Sequence, residues 1–318
     1  MTTRRRLRIL TWQVHGNYLY YLTQAPHEFH VLSKPGAPPG YGGRNGRLPW
    51  GANVHDCPAA RVREQAFDCV LFQSHAHYRD DQHELLSERQ QRLPRIYLEH
   101  DPPLAHPTGT VHPVADRDVL IVHVTHYNAL MWDCGAVPTR VVEHGVHIPE
   151  GIVWNGERPR GVAVINHLRR RGRRLGSDVF DAWRQAVPLD LYGMDAQASG
   201  GSGELPYTEL FAALARYRFF AHPVRYTSLA LAICEAMTIG LPVVGLATTE
   251  LPRVIAESGG GYVDNDLARL ASHSRELIRD HGHAADLSRR ARAYARERFA
   301  IGRFVADWND VFHEVTSR

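Results

Sequence analysis

The chain has 318 residues, of which 44% are hydrophobic and 22% charged, with a formal net charge of +3. That length suits two domains of ordinary size, and the composition is globular, with no apolar run long enough to span a bilayer. The mild, mixed charge argues against a dedicated nucleic-acid binder, and the lone lysine, Lys34, argues against a P-loop or a Schiff-base enzyme.

The opening stretch MTTRRRLRILTW is basic but enters a strand pattern at once and lacks the apolar region of a signal peptide, so a cytoplasmic location is expected. Strand-like runs follow at Leu7–Trp12, Phe29–Leu32, Cys69–Phe72, Arg95–Leu98, Val119–Val124 and Arg140–Glu143, with helical patterns at Gly16–Leu22 and Asp80–Arg92. Between Lys34 and Pro58 a Gly- and Pro-rich stretch predicts one long loop. The segment EHGVHIPEGIVWNGERPRG, from Glu143, reads as a linker between domains. Alternation then restarts, with strands at Gly161–Ile165, Leu189–Tyr192, Tyr217–Ala221 and Pro242–Gly245. Helices are expected at Ser177–Gln185, Tyr207–Ala215 and Ser228–Ile239. The rhythm predicts an α/β chain with two doubly wound, Rossmann-like parallel sheets. The expected division is residues 1–150, residues 151–302, and an amphipathic tail helix in 303–318 that packs back across the domains.

The four cysteines lack metal-ligand spacing and read as reduced thiols. Among the histidines, only His75/His77 and His123/His126 approach ligand spacing, and neither pair sits in an HExxH helix, so no metal site is expected.

One residue is out of place. Glu235 falls among Leu229, Ala232, Ile233, Ala236 and Met237, which recur at helical spacing. A buried carboxylate needs a partner. With Ser228 as N-cap, Glu235 would lie two turns on, about 10 Å along the axis. The helix tip could then hold a diphosphate and Glu235 a ribose diol. Equally, Glu235 could pair with a buried arginine and bind nothing.

The stretch SLALAICEAMTIGLPVVGLATTELPRVIAESGGGYV resembles the second domain of retaining, nucleotide-sugar-dependent glycosyltransferases of the GT-B fold, especially the group 1 type of the large fourth family. VVEHGVHI, LDLYGMD and RYRFFAHPV match other parts of that pattern in the family's order, and TWQVHGNYLYYL and PRIYLEHDPP match its first domain more loosely. The resemblance implies two domains facing an interdomain cleft, with the nucleotide sugar bound mainly by the second. It places Gly16 near the donor phosphates, His100 against the donor sugar, and Gly193 in the turn after a strand. The amides of Ser228 and Leu229, with Thr227 and Thr249, would face the donor, and Glu235 would hold the ribose.

The sequence also departs from the pattern. Thr227 stands where the family has the first glutamate of its E-x7-E motif. In NHLRRRGRRLGSDVF, aligned on Gly176 without gaps, Arg169 takes the family's phosphate-binding arginine position and Leu175 its lysine position. Arg174 or Arg173 is the expected substitute, since arginine can bind phosphate bidentately. Thr248 and Thr249 replace frequent glycines, and Glu250 reads either as a sugar ligand or as a helix-start residue. The implied function is transfer of a sugar, with retention, from a nucleotide-diphosphate sugar (a UDP- or GDP-sugar) to a hydroxyl of a glycan, glycolipid or small molecule. Arg169, Arg174 and His100 would be catalytic, with no metal or other cofactor required and no nucleic-acid partner. The implied setting is bacterial polysaccharide assembly, at the inner membrane face where the acceptor is a glycolipid. Thr227 and Leu175 keep a second reading open, a catalytically inactive GT-B nucleotide-sugar-binding or scaffold protein.

Overall fold

The computed structural model describes residues 5–45 and 48–317; positions 46 and 47 of the expected long loop lie outside them. Along the chain run β1 (Arg8–Thr11), α1 (Gly16–Leu22), β2 (Glu28–Ser33), β3 (Val54–Pro58), β4 (Cys69–Phe72), α2 (Gln82–Leu85), α3 (Glu88–Gln91), β5 (Arg95–Glu99), β6 (Val119–His123), α4 (His126–Met131) and β7 (Thr139–Val141). Next come β8 (Arg158–Val164), α5 (Leu168–Arg171), α6 (Ser177–Ala186), β9 (Leu189–Tyr192), α7 (Tyr207–Leu214), β10 (Tyr217–His222) and α8 (Leu231–Ile239). The chain ends with β11 (Val243–Leu246), α9 (Leu251–Ser258), β12 (Gly261–Asp264), α10 (Leu267–Arg279), α11 (His281–Arg298) and α12 (Ile301–Thr316).

Two compact units emerge. The first comprises the residues up to Glu143 together with those from Ile301 onward, and the second His144–Ala300. In the first, seven parallel strands follow the order β3-β2-β1-β4-β5-β6-β7. Central strands β4 and β6 are buried at every position, as strands covered on both faces must be. The second unit holds a five-stranded parallel sheet ordered β12-β11-β10-β8-β9. Its core includes Leu175, Phe180, Trp183, Phe219 and Leu277. Arg218 is buried within β10, and its guanidinium is satisfied by the carbonyls of Gly156, Leu277 and Ile278.

Three expectations need correction. The predicted loop from Lys34 to Pro58 ends in an edge strand, β3, paired in parallel with β2. VHDCP has only two of its five side chains buried, so its apolar signal is faint. The helix expected over Asp80–Arg92 is interrupted at Leu86, which is extended and buried. Ser87 restarts it as α3 by capping Gln90, whose side chain returns to the Ser87 amide in a capping box. Residues 144–150, placed in the first domain by the sequence, fall within the second unit. The Val146 amide donates to the Phe299 carbonyl at 3.0 Å, and His144 Nε2 donates to the Leu229 carbonyl at 2.9 Å.

The tail helix α12 is a core element of the first unit. Phe304, Trp308, Val311, Phe312 and Val315 form its buried stripe, and Trp308 Nε1 donates to the Tyr18 hydroxyl at 3.1 Å. Burial of that phenol drives its pKa far up, so it stays neutral and serves as acceptor. Replacing Trp308 by Ala removes both the hydrogen bond and the ring. The expected loss is about 3–5 kcal/mol of the first unit's stability, read from denaturant unfolding.

Candidate functional site

An all-parallel sheet offers a ligand one natural place: beyond the carboxyl ends of its strands, where neighbouring connections leave in opposite directions. In the second unit that point lies between β8 and β10, since the chain goes from β8 outward to β9 and then returns to β10 on the other side. The segments leaving there are residues 165–176 after β8 and residues 223–230 after β10. They carry the arginine run and the Thr227–Leu229 segment.

These two segments are joined. The Arg174 carbonyl accepts the amides of both Arg225 and Tyr226, at 3.1 and 3.2 Å. Arg225 Nη1 donates to the Arg173 carbonyl at 2.9 Å and to Asp178 Oδ1 at 2.5 Å, while its Nη2 donates to Asp178 Oδ2 at 2.8 Å. Arg173 donates to the same carboxylate at 2.5 Å. The Arg225 fork holds the Asp178 carboxyl at about 2, well below its ordinary value. Gly176 makes the approach possible. Its φ is +76°, and a Cβ there would stand 1.9 Å from the Pro223 carbonyl oxygen.

Arg169 is exposed and donates to Asp181 on α6 at 3.1 Å. Arg174 is half-buried, with its Nη1 shielded from solvent. Leu175 is buried in the apolar core, so a lysine in its place would carry its ammonium into hydrocarbon. Gly193 stands in the turn after β9 with φ +130°, and a Cβ there would come within 2.5 Å of the Ile165 carbonyl oxygen. The β9 turn therefore lies against the end of β8, where the Met194 amide donates to Asn166 Oδ1 at 2.9 Å.

The helix carrying Glu235 begins later than the sequence predicts. Its first residue is Leu231, and Ser228 is not its N-cap. The backbone before it is engaged sideways: Thr249 Oγ1 donates to the Ser228 carbonyl at 3.0 Å and His144 Nε2 to the Leu229 carbonyl. Thr248 Oγ1 likewise donates to the Val224 carbonyl at 2.9 Å. Glu235 is thus the fifth residue of α8, about 6 Å along the axis from its start rather than two turns from Ser228. It is buried, as are Ile233, Cys234, Ala236 and Met237 around it. Thr249 takes a left-handed backbone, φ +53°, at the position where the resembling family often has glycine. Glu250 is buried and receives Arg253 Nε at 2.6 Å.

The first unit has its own switch point, between β1 and β4. Gly16 opens α1 beside it, and a Cβ there would meet only Leu48 and the Gln13 side chain, at 3.7 and 3.8 Å, so local sterics do not require glycine. His100, just after β5, has its ring 4.0 Å from that of His15 and edge-on to Tyr18 at 4.8 Å. Its Nε2 lies 3.2 Å from Gln73 Oε1.

Thus Arg169, Arg173, Arg174, Gly193, Thr227, Ser228, Leu229 and Thr249 gather at the carboxyl end of the second sheet, with Glu235 on the helix that follows. Gly16 and His100 gather at the corresponding end of the first. Sequence reasoning missed Asp178, Arg225 and Gln73. The signal available for Arg225 was a lone arginine directly after the buried run FFAHPV. Among the described residues no cluster of three or more His, Cys, Asp or Glu side chains is placed to hold a metal, and no helix is long and apolar enough to cross a membrane.

The pair of sheets is a GT-B fold. Sucrose-phosphate synthase from Thermosynechococcus elongatus superposes with a TM-score of 0.72, covering 98% of this chain and 100% of that one at 13% identity. HepE from Anabaena, in complex with UDP and glucose, gives 0.70 over 97% of this chain and 100% of that one, also at 13% identity. Residues 202–280, most of the second unit's latter half, match the family described as Glycosyl transferases group 1. O-antigen chain mannosyltransferase B of Escherichia coli is 33% identical over 94 residues, 30% of this chain and 23% of that protein, so the match spans about a quarter of that relative's length.

The Asp178 clamp predicts a pH dependence. Its folded pKa, about 2, lies below the unfolded value, so its contribution to stability is complete above about pH 4 and disappears as pH falls through about 2. The pair is partly exposed, with side chains 32% and 39% accessible, which limits the contribution to about 1 kcal/mol. Denaturant midpoints measured across this range should fall less steeply with acid in Asp178→Asn than in the parent.

Proposed function

We propose that the chain is a glycosyltransferase that moves a sugar, with retention of anomeric configuration, from a nucleotide-diphosphate sugar to a hydroxyl acceptor. The observation that carries this reading is the joining of the arginine turn to the loop before α8 at the second unit's switch point. It ties the arginine turn to the loop that carries Thr227–Leu229, and guanidinium groups and backbone amides are the groups a diphosphate is held by. The group 1 match over residues 202–280 and the likeness to a fold solved with UDP and glucose support it.

In this reading the second unit holds the donor. Arg169, Arg174 and the amides of Ser228 and Leu229 stabilise the negative charge that grows on the departing diphosphate, commonly the largest catalytic contribution. Arg173, shared with Asp178, adds to the same field. Glu235 takes the ribose hydroxyls, and Thr227 and Thr249 offer hydroxyls to the sugar or its phosphate. Gly193 keeps the neighbouring turn close. His100 and Gly16 of the first unit keep the roles the resemblance implies, as groups for sugar hydroxyls and phosphate. Retention follows the resembling enzymes, in which a donor phosphate oxygen takes the proton of the incoming hydroxyl, so no protein nucleophile is needed. A UDP- or GDP-sugar is the donor, and a growing glycan or a glycolipid at the cytoplasmic membrane face is the acceptor. The role of O-antigen chain mannosyltransferase B supports that setting by analogy.

A second reading, a binding or scaffold protein without turnover, is favoured by Thr227 and by the burial of Leu175 at the expected lysine position. One experiment separates the two. A panel of UDP-, GDP- and ADP-sugars is screened by thermal shift, since a ligand that binds only the folded state raises Tm, and then for release of the nucleoside diphosphate. The transferase reading expects release that Arg169→Ala cuts about a hundredfold. A shift in Tm with no release from the parent chain supports the scaffold, and neither shift nor release overturns both.

The carboxylate gives an independent check. Glu235→Gln should weaken binding of the matching nucleoside diphosphate about tenfold, measured by calorimetry, by losing charge-assisted hydrogen bonds to the ribose. An unchanged Kd removes Glu235 from the site.

A further inference from the structure

Gln73 follows β4 directly, at the first unit's switch point, and is buried. Its Nε2 lies 2.8 Å from the Trp12 carbonyl oxygen and 3.0 Å from Thr11 Oγ1. A carbonyl only accepts, so the atom facing it must be the amide nitrogen. The Thr11 hydroxyl donates its own proton to the Leu71 carbonyl at 2.9 Å, which leaves Oγ1 a lone pair for the second Nε2 hydrogen. The Trp12 carbonyl just after β1, and the Leu71 carbonyl of β4 acting through Thr11, therefore settle the orientation of this amide. Gln73 Oε1 is left facing His100 Nε2 at 3.2 Å. An amide oxygen cannot donate, so the proton on that line belongs to the imidazole.

We propose that Gln73 is a positioning residue that fixes neutral His100 as its Nε2–H tautomer, making Nδ1 the ring's acceptor nitrogen. The consequence concerns ligand chemistry. A lone pair at Nδ1 takes a hydrogen bond from a hydroxyl or an N–H and repels a phosphate oxygen. In the transferase reading, Nδ1 is thereby suited to accept from a sugar hydroxyl and unsuited to a phosphate oxygen. This consequence rests on the transferase reading; the tautomer itself does not.

Long-range proton–nitrogen NMR of the full chain at about pH 8, where an ordinary imidazole is neutral, tests it. The His100 signals are assigned by their loss in His100→Gln. The expected spectrum of the parent shows a protonated Nε2 and a bare Nδ1. In Gln73→Met, which keeps the length of the side chain but loses its acceptor, the two nitrogens should move toward averaged positions. A protonated Nδ1 in the parent, or a Gln73→Met spectrum identical to the parent's, overturns the proposal. If Gln73→Met does not fold, Thr11→Val, which removes one of the two groups orienting the amide, takes its place with the same expectation in smaller degree. Where the chain transfers sugar, Gln73→Met should also lower kcat/KM for the donor about tenfold, with the acceptor KM unchanged. Absence of any transfer by the parent counts against the transferase reading and leaves the spectra to decide the tautomer.

Discussion

A parallel sheet covered by helices on both faces has only the ends of its strands left for chemistry. That constraint organises the whole chain. Where strand order reverses, the outgoing connections diverge and leave room, and in each unit the candidate residues lie at that point. The sheets themselves contribute almost no polar side chains to it. What they provide is fixed backbone, against which short connections can be tied.

The ties differ between the two units. In the second, one peptide carbonyl, that of Arg174, accepts two amides from the neighbouring loop, and a carboxylate shared by two arginines closes the arrangement. Two threonine hydroxyls and a histidine ring hold the rest of that loop from the other side. The loop is thereby kept from joining the helix it precedes. In the first unit the corresponding device is smaller, a single buried amide between the Trp12 carbonyl and an imidazole.

Much of this was legible in the residues. The strands Cys69–Phe72 and Leu189–Tyr192 and the helix Gly16–Leu22 fall at the predicted positions: the first is an unbroken apolar run buried throughout, and the second alternates buried and half-buried side chains. Attention to Arg169–Arg174 and Thr227–Leu229, which lie on the connections after β8 and β10, came from resemblance rather than periodicity. Other features were hidden for physical reasons. The edge strand β3 buries too few side chains to stand out from a Gly- and Pro-rich stretch. The start of α8 depends on acceptors satisfied from far along the chain, by Thr249 and His144, and no local window contains them. Asp178 and Arg225 meet across 47 residues, and Gln73 and His100 across 27, so neither pair leaves a mark in spacing.

The tail helix has a consequence for synthesis. The second unit is continuous, His144–Ala300, whereas the first needs α12 to seal its core around Tyr18 and Trp308. At ordinary translation rates the ribosome spends roughly ten to thirty seconds on the stretch between them. Throughout that interval the early half waits with an uncovered apolar face while the later half is free to finish first. The order in which the parts emerge is therefore the reverse of the order in which they can be completed.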